Sequence, residues 1–237
     1  MLKELYERIL QSARPETVEV NNRIYSTERL LLVPENAHVD AIEIHSLTGV
    51  VDYIQSHFDG TRNLLIHIKS PTDVFLIDSM DNTNDRRIYL KSAALLPNIV
   101  FDRFIEREQF QIMLQANFVP TPDHVSVMDI VSHIHVQDGN VELKDNGFAQ
   151  SIVTKTGAAT LSPTPIPPKV LLKPFRTFVE VAQPASEYIL RLNDRGNIAL
   201  FEADGGSWQL EAIESIAQYF RLQLPEEIED GSIHILR

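Results

Sequence analysis

Two periodicities stand side by side between residues 47 and 91, and together they restrict the fold more than any other feature of the chain. Leu47, Val50, Val51, Ile54 and Phe58 recur at helical spacing after Ser46, an N-cap residue type, and Asp59-Gly60 marks the helix end. Directly afterwards Leu64, Ile66 and Ile68 alternate with polar neighbours, the period of a half-buried strand. The turn-forming Ser70-Pro71-Thr72-Asp73 leads to a second strand over residues 74–78, and the polar loop 79–85 to a third over residues 86–91. Three such strands form an antiparallel meander with one face for the core. That face needs a cover, so Leu64, Ile66, Ile68, Phe75 and Ile77 are predicted to pack against the helix over residues 47–58. The class is α+β: antiparallel sheet meanders with helices packed on one face.

The remaining elements fit this class. A helix is predicted over residues 2–13, then short strands over 18–25 and 30–33 with Asn21-Asn22 as a turn, and a strand over 41–45. Helices follow over 106–117, using Phe110, Met113, Leu114 and Phe118, and from Pro122-Asp123, with Val125, Met128 and Val131 on one side. Strands surround Asn146-Gly147, and Ser162-Pro163-Thr164-Pro165-Ile166-Pro167-Pro168 reads as extended polyproline-like chain. A strand over 170–181 must lie at an edge or bulge at Pro174. Asn193-Asp194-Arg195-Gly196 joins a hairpin, and Ser207 caps a last helix with Leu210, Ile213, Ala217 and Phe220 inward. The tail from Pro225 is acidic and reads as loose. One domain, 1–237, is expected, with any sub-division at the Pro-rich stretch 162–168.

The chain has 237 residues, enough to build a core without covalent staples, and no cysteine. Disulfides, thiolate metal sites and cysteine nucleophiles are thereby excluded, and a reducing compartment is indicated. The N-terminal residues are charged and amphipathic, without the apolar core of a signal peptide, and no apolar run reaches membrane-spanning length, so the expected location is cytoplasmic. The formal charge of −12 opposes binding to phosphate backbones and favours solubility.

Chemical motifs are few. The loop from Asp78 to Asp85 contains Asp78, Asp81 and Asp85 but fails the calcium-loop pattern: positions six and twelve hold Thr83 and Tyr89 in one register, Arg86 and Ser92 in the other. His133 and His135 lie two apart where helix runs into loop, without a third ligand at suitable spacing. There is no nucleophile elbow, P-loop or dinucleotide fingerprint. Gly205-Gly206-Ser207 could hold an anion at a helix start, but Glu202 and Asp204 beside it make a capping turn the better reading. No catalytic residue, metal ligand or cofactor is assigned; a metal-dependent enzyme built on the three aspartates is a minor alternative.

One stretch is electrostatically distinct. Residues 147–179 contain no Asp or Glu, but carry Lys155, Lys169, Lys173 and Arg176, interleaved with Phe148, Phe175 and Phe178. Cations with aromatics suit single-stranded nucleic acid, and Lys155, Lys169, Lys173, Phe175 and Arg176 are the candidate binding residues. Lysine and proline also protect sheet edges, which explains the same composition without a ligand.

The run Gly49-Val50-Val51-Asp52-Tyr53-Ile54-Gln55-Ser56-His57-Phe58, the strand 64–69, the helix containing Glu108-Gln109-Phe110, and the strand pair 188–192 and 197–202 leading into a helix occur in that order. In this order of elements the chain resembles the uncharacterised phage and prophage protein family typified by YfdQ. The resemblance implies a phage-encoded, cytoplasmic, non-structural protein, often carried near replication or recombination genes, and transfers no catalytic residue. The expected function is therefore binding rather than catalysis, as a homo-oligomer or with a protein partner. A single-stranded nucleic-acid accessory protein is the alternative.

Overall fold

The computed structural model describes residues 17–20, 23–26, 40–60, 63–80, 86–134, 142–156 and 160–237. The chain divides into two compact units, 1–39 and 40–237. In the first, β1 (Thr17–Val20) and β2 (Arg23–Ser26) pair antiparallel with Val20 opposite Arg23. The predicted helix over 2–13 and strand over 30–33 lie outside the described residues.

The second unit is α+β. It opens with β3 (Ile42–Ile44) and α1 (Leu47–Ser56), whose N-cap Ser46 accepts the Gly49 N–H at 3.1 Å. The helix stops earlier than Asp59-Gly60 suggests. His57 takes a left-handed conformation, φ 49°, and this leaves Phe58 exposed rather than in the buried stripe. Then β4 (Leu64–Ser70), β5 (Asp73–Ile77) and β6 (Ile88–Ala93) form the antiparallel meander. Ile66 stands opposite Leu76 and Ile68 opposite Val74. The inward residues of β5 are therefore Val74 and Leu76, both fully buried, and the expected Phe75 and Ile77 turn outward. A register shift between Ile68 and Ser70 sets this parity: continued from the Ser70–Asp73 pair without it, Ile68 would stand opposite Phe75.

Next come α2 (Arg107–Asn117), β7 (Phe118–Val119) and α3 (Pro122–Ser132), the last capped by Thr121, with Pro122 at its start. His124, Val127 and Val131 are buried in α3 and Met128 packs partly buried against them, so of the expected stripe only Val125 turns outward. β8 (Leu143–Asp145), β9 (Gln150–Thr156) and β10 (Thr160–Ile166) make a three-stranded antiparallel sheet. The Pro-rich stretch is thus a paired strand for most of its length. It lies at an edge with its two strand prolines, Pro163 and Pro165, alternating, so both missing N–H groups can point away from β9.

β11 (Val170–Pro174) stops at Pro174, well short of Val181. β12 (Ser186–Leu192) and β13 (Ile198–Glu202) form the expected hairpin, with Gly196 at φ +77°. In α4 (Trp208–Gln223) the buried residues are Ala212, Ile216, Ala217 and Phe220, while Leu210 is exposed. The tail is ordered: α5 (Pro225–Glu229) leads to β14 (Ile233–Leu236), which pairs parallel with β4 and buries Ile233.

Two core clusters result. The five-stranded sheet, in the order β14-β4-β5-β6-β3, shares one with α1 and α4 on its inner face. The four-stranded sheet, β13-β12-β11-β7, shares the other with α2 and α3. Among the described residues no helix is long and apolar enough to cross a membrane.

Candidate binding face

β11 sorts its side chains by alternation. Val170 and Leu172 are buried, so Lys169, Leu171 and Lys173 stand on the outer face of the four-stranded sheet. The Lys169 ammonium donates to the Glu187 carboxylate of β12 at 2.7 Å, with both side chains about half exposed. β7 reaches only Lys173 and Pro174. Beyond it, Asp123 from the first turn of α3 takes the place of a strand neighbour and accepts the Leu171 N–H at 2.7 Å.

On β12 the outward residues are Glu187, Ile189 and Arg191, because Ser186, Tyr188, Leu190 and Leu192 are buried. Arg191 donates to the Gly147 carbonyl at 3.2 Å and lies 3.9 Å from Asp145. The Asp145 carboxyl is held below its ordinary pKa, first by the Gly147 N–H and then by the Gln150 side chain. On β13, Phe201 stands opposite Ile189, and the half-exposed Phe104 meets it edge to face with ring centres 6.2 Å apart. The face therefore joins three cations to an aromatic pair.

Of the five residues predicted from sequence, the fold brings two together here, Lys169 and Lys173. Phe175 follows the strand end, half-buried, with its N–H bound to the Asn117 carbonyl at 2.9 Å. Lys155 belongs to β9 in the three-stranded sheet, and its side chain lies outside the described residues. Phe148 is 85% exposed in the turn before β9, and Phe178 is buried in the first cluster.

Arg176 is the clear correction, being 6% exposed and thus no part of an exposed cationic row. Its guanidinium lies over the Trp208 ring at 3.9 Å and donates to the Tyr188 hydroxyl at 3.0 Å, to Glu202 at 3.2 Å and to Ser186. Ser186 in turn donates to Asp204. Burial lowers the arginine's pKa, opposed by Tyr188, Glu202, Asp204 and Glu211. Burial raises the Glu202 carboxyl, opposed by Arg176. It would raise Asp204 too, but hydrogen bonds from Ser186 and the Gly206 N–H and the charge of Arg176 bring that carboxyl below its usual value. The chain next to Arg176 is equally constrained: Gln183 accepts the N–H groups of Arg176 and Thr177, and Thr177 donates to the Pro71 carbonyl at 2.6 Å. Arg176 is a structural cation at the junction of the two clusters.

The other motifs resolve into local structure. Asp78 accepts the Tyr89 hydroxyl at 2.9 Å and the Ser79 N–H at 2.7 Å; Asp81 and Asp85 lie outside the described residues. His133 bonds the Asp129 carbonyl one helical turn back, and His135 is outside the described residues. Asp204 accepts the Gly206 N–H at 3.0 Å and closes the glycine turn, while Ser207, expected to cap the helix, is itself in helical conformation and makes no side-chain cap bond. A cleft of about 690 Å³ lies elsewhere and is acidic, lined by Glu226, Glu227 and Asp230 with His57. Among the described residues no group of three side chains converges as metal ligands.

Phe104, Phe201 and Arg191 were missed from sequence. The alternation of the 188–192 and 198–201 hairpin already sets Arg191 and Phe201 outward once its turn is counted, but nothing local ties Phe104 to them. Compared with family models, curated proteins and solved structures, the chain matches none.

Proposed function

We propose that this chain is a phage- or prophage-encoded, non-structural, cytoplasmic protein that acts by binding rather than by catalysis, as a homo-oligomer. The phage assignment rests on the order of elements shared with the YfdQ-type family. The observation that carries the binding half is the outer face of the four-stranded sheet. There Lys169, Leu171 and Lys173 form one solvent-facing row beside the Phe104–Phe201 pair.

That face favours a particular ligand class, single-stranded nucleic acid, as used by an accessory protein of replication or recombination. Lysines neutralise phosphates, and an exposed aromatic edge offers a surface on which a base can lie. Two features limit the affinity: the Lys169–Glu187 pair, which a phosphate must displace, and the charge of −12, which repels the rest of the strand. Binding is therefore weak and confined to low salt. Fluorescence anisotropy of a labelled single-stranded oligonucleotide at about 50 mM salt, the low end of the range where counterion release matters, tests this reading. A saturable rise supports it, and a flat titration removes nucleic acid as the ligand of this face.

A further inference from the structure

The five-stranded sheet carries α1 and α4 on its inner face, and its outer face is of a different kind from the one just described. The register sets Leu236, His67, Phe75, Lys91 and Glu43 in one row across all five strands. Leu65 and Ile77 stand opposite each other in the next row. Phe75, Leu65 and Ile77 belong to neither core cluster, although they sit in the middle of the sheet. The Lys69 ammonium lies 5.3 Å from the Phe75 ring centre, and the His67 ring meets Phe75 edge-on at 6.3 Å.

We infer that this face is where two copies of the chain meet, which rests on the self-association included in the reading above. Charge selects the occupant. Two copies at −12 each repel one another over most of their surfaces. On this face Lys69 and Lys91 are matched by Glu43 and Asp73, so it carries no net formal charge around an apolar centre. An isologous contact places the same patch against itself, and a patch with both signs at its rim is self-complementary. A phosphate chain would instead meet Glu43 and Asp73, and a strongly basic partner would meet both lysines.

Area sets the strength. Five strands about 4.8 Å apart and three outward residues along each central strand give about 450 Å² of flat face per copy. The pair then buries about 900 Å², close to the lower limit of about 1,000 Å² for a specific interface. The dimer is accordingly weak and concentration-dependent.

Sedimentation velocity of the full chain from about 1 to 200 μM, a range bracketing weak association, tests the inference. The wild type should move from the 26.9 kDa monomer toward twice that mass as concentration rises. Phe75→Asp should weaken dimerisation at least tenfold, with far-UV circular dichroism checking that the variant is folded. Lys69→Glu alters a side chain at the solvent surface and so cannot act by unfolding the core. It gives each face a net negative charge and should also weaken the dimer, more so at low salt. A wild type that stays monomeric throughout would contradict self-association itself. A dimer that persists unchanged in both variants would leave self-association standing and overturn this face as its site.

Discussion

The five-stranded and four-stranded sheets both press one face into a core cluster and leave the other outward, but the outward residues are arranged differently. On the five-stranded sheet the centre is apolar, Leu65, Phe75 and Ile77, with lysines and acids in equal number around it. On the four-stranded sheet the lysines run along one strand, Lys169 and Lys173 with Leu171 between them, and the aromatics lie to one side. Acids stand beside the cations on both faces, Glu187, Asp123 and Asp145 on the four-stranded one; what differs is the centre, an apolar patch on one sheet and a lysine-bearing strand on the other. The lesson is that in a strongly acidic chain the distribution of its few lysines is more informative than their number.

The sharpest contrast lies within one short stretch: Lys173 faces outward, and Arg176, three residues on, is buried between the clusters. Replacing Arg176 by Ala should cost about 3 kcal/mol, since it strands the Tyr188 hydroxyl and Glu202 and removes the Trp208 contact; the partial exposure of Glu202 keeps the value at the low end for a buried pair. Lys173→Ala should change stability by less than about 0.5 kcal/mol, as for other outward positions. Urea denaturation of both variants measures the difference, and equal losses would show that Arg176 is as exposed as the lysine.

A smaller effect concerns how the five-stranded sheet is covered. Ser46→Ala removes the acceptor of the Gly49 N–H and should cost about 1 kcal/mol. Leu65→Ala, on the outer face of the same sheet, should cost less than the 2–5 kcal/mol or so of a core leucine. A full core-sized loss at Leu65 would mean that the outer face is covered within the monomer.

Acid acts on both sheets through aspartates held below their ordinary pKa. Asp73, lowered by Ser70 against the opposing cost of burial, lies at the edge of the five-stranded face; Asp145, lowered by the Gly147 N–H, lies beside the four-stranded one. A carboxyl whose pKa is depressed on folding contributes stability above its unfolded value, and that contribution is lost as pH falls through the folded value. Glu202 is raised, and its contribution runs the other way. The melting temperature should be level from pH 7 to 5 and fall below about pH 4, the unfolded aspartate range. Glu202 acts only above its ordinary value near 4.5, so a melting temperature that does not fall below about pH 4 would show that the aspartates carry no such contribution.

The sequence was most legible where turn chemistry and alternation agreed: the meander, the helix capped by Ser46, and the Asn193–Gly196 hairpin. It was least legible where parity depended on a partner. Phe75 and Ile77 alternate as well as Val74 and Leu76 do, and only the pairing with β4 decides which pair is buried. The Pro-rich stretch reads as unpaired from composition, yet alternating prolines leave one edge able to pair. The candidate site was half legible for the same reason. Lys169 and Lys173 share a parity in any strand, but the burial of Arg176 depends on Trp208, Tyr188 and Glu202, which no local pattern connects to it.

The most direct test of the division between the two faces is the salt dependence of oligonucleotide binding in three proteins: the wild type, Lys169→Ala/Lys173→Ala and Phe75→Asp. Two phosphate contacts on a single strand give a logarithmic slope of about −1.4, or roughly sevenfold weakening from about 50 to 200 mM salt. The double lysine variant should bind more weakly with a nearly flat slope, and Phe75→Asp should match the wild type at concentrations where all three are monomeric. Wild-type binding that survives the loss of both lysines, or that is lost in Phe75→Asp, would contradict the account.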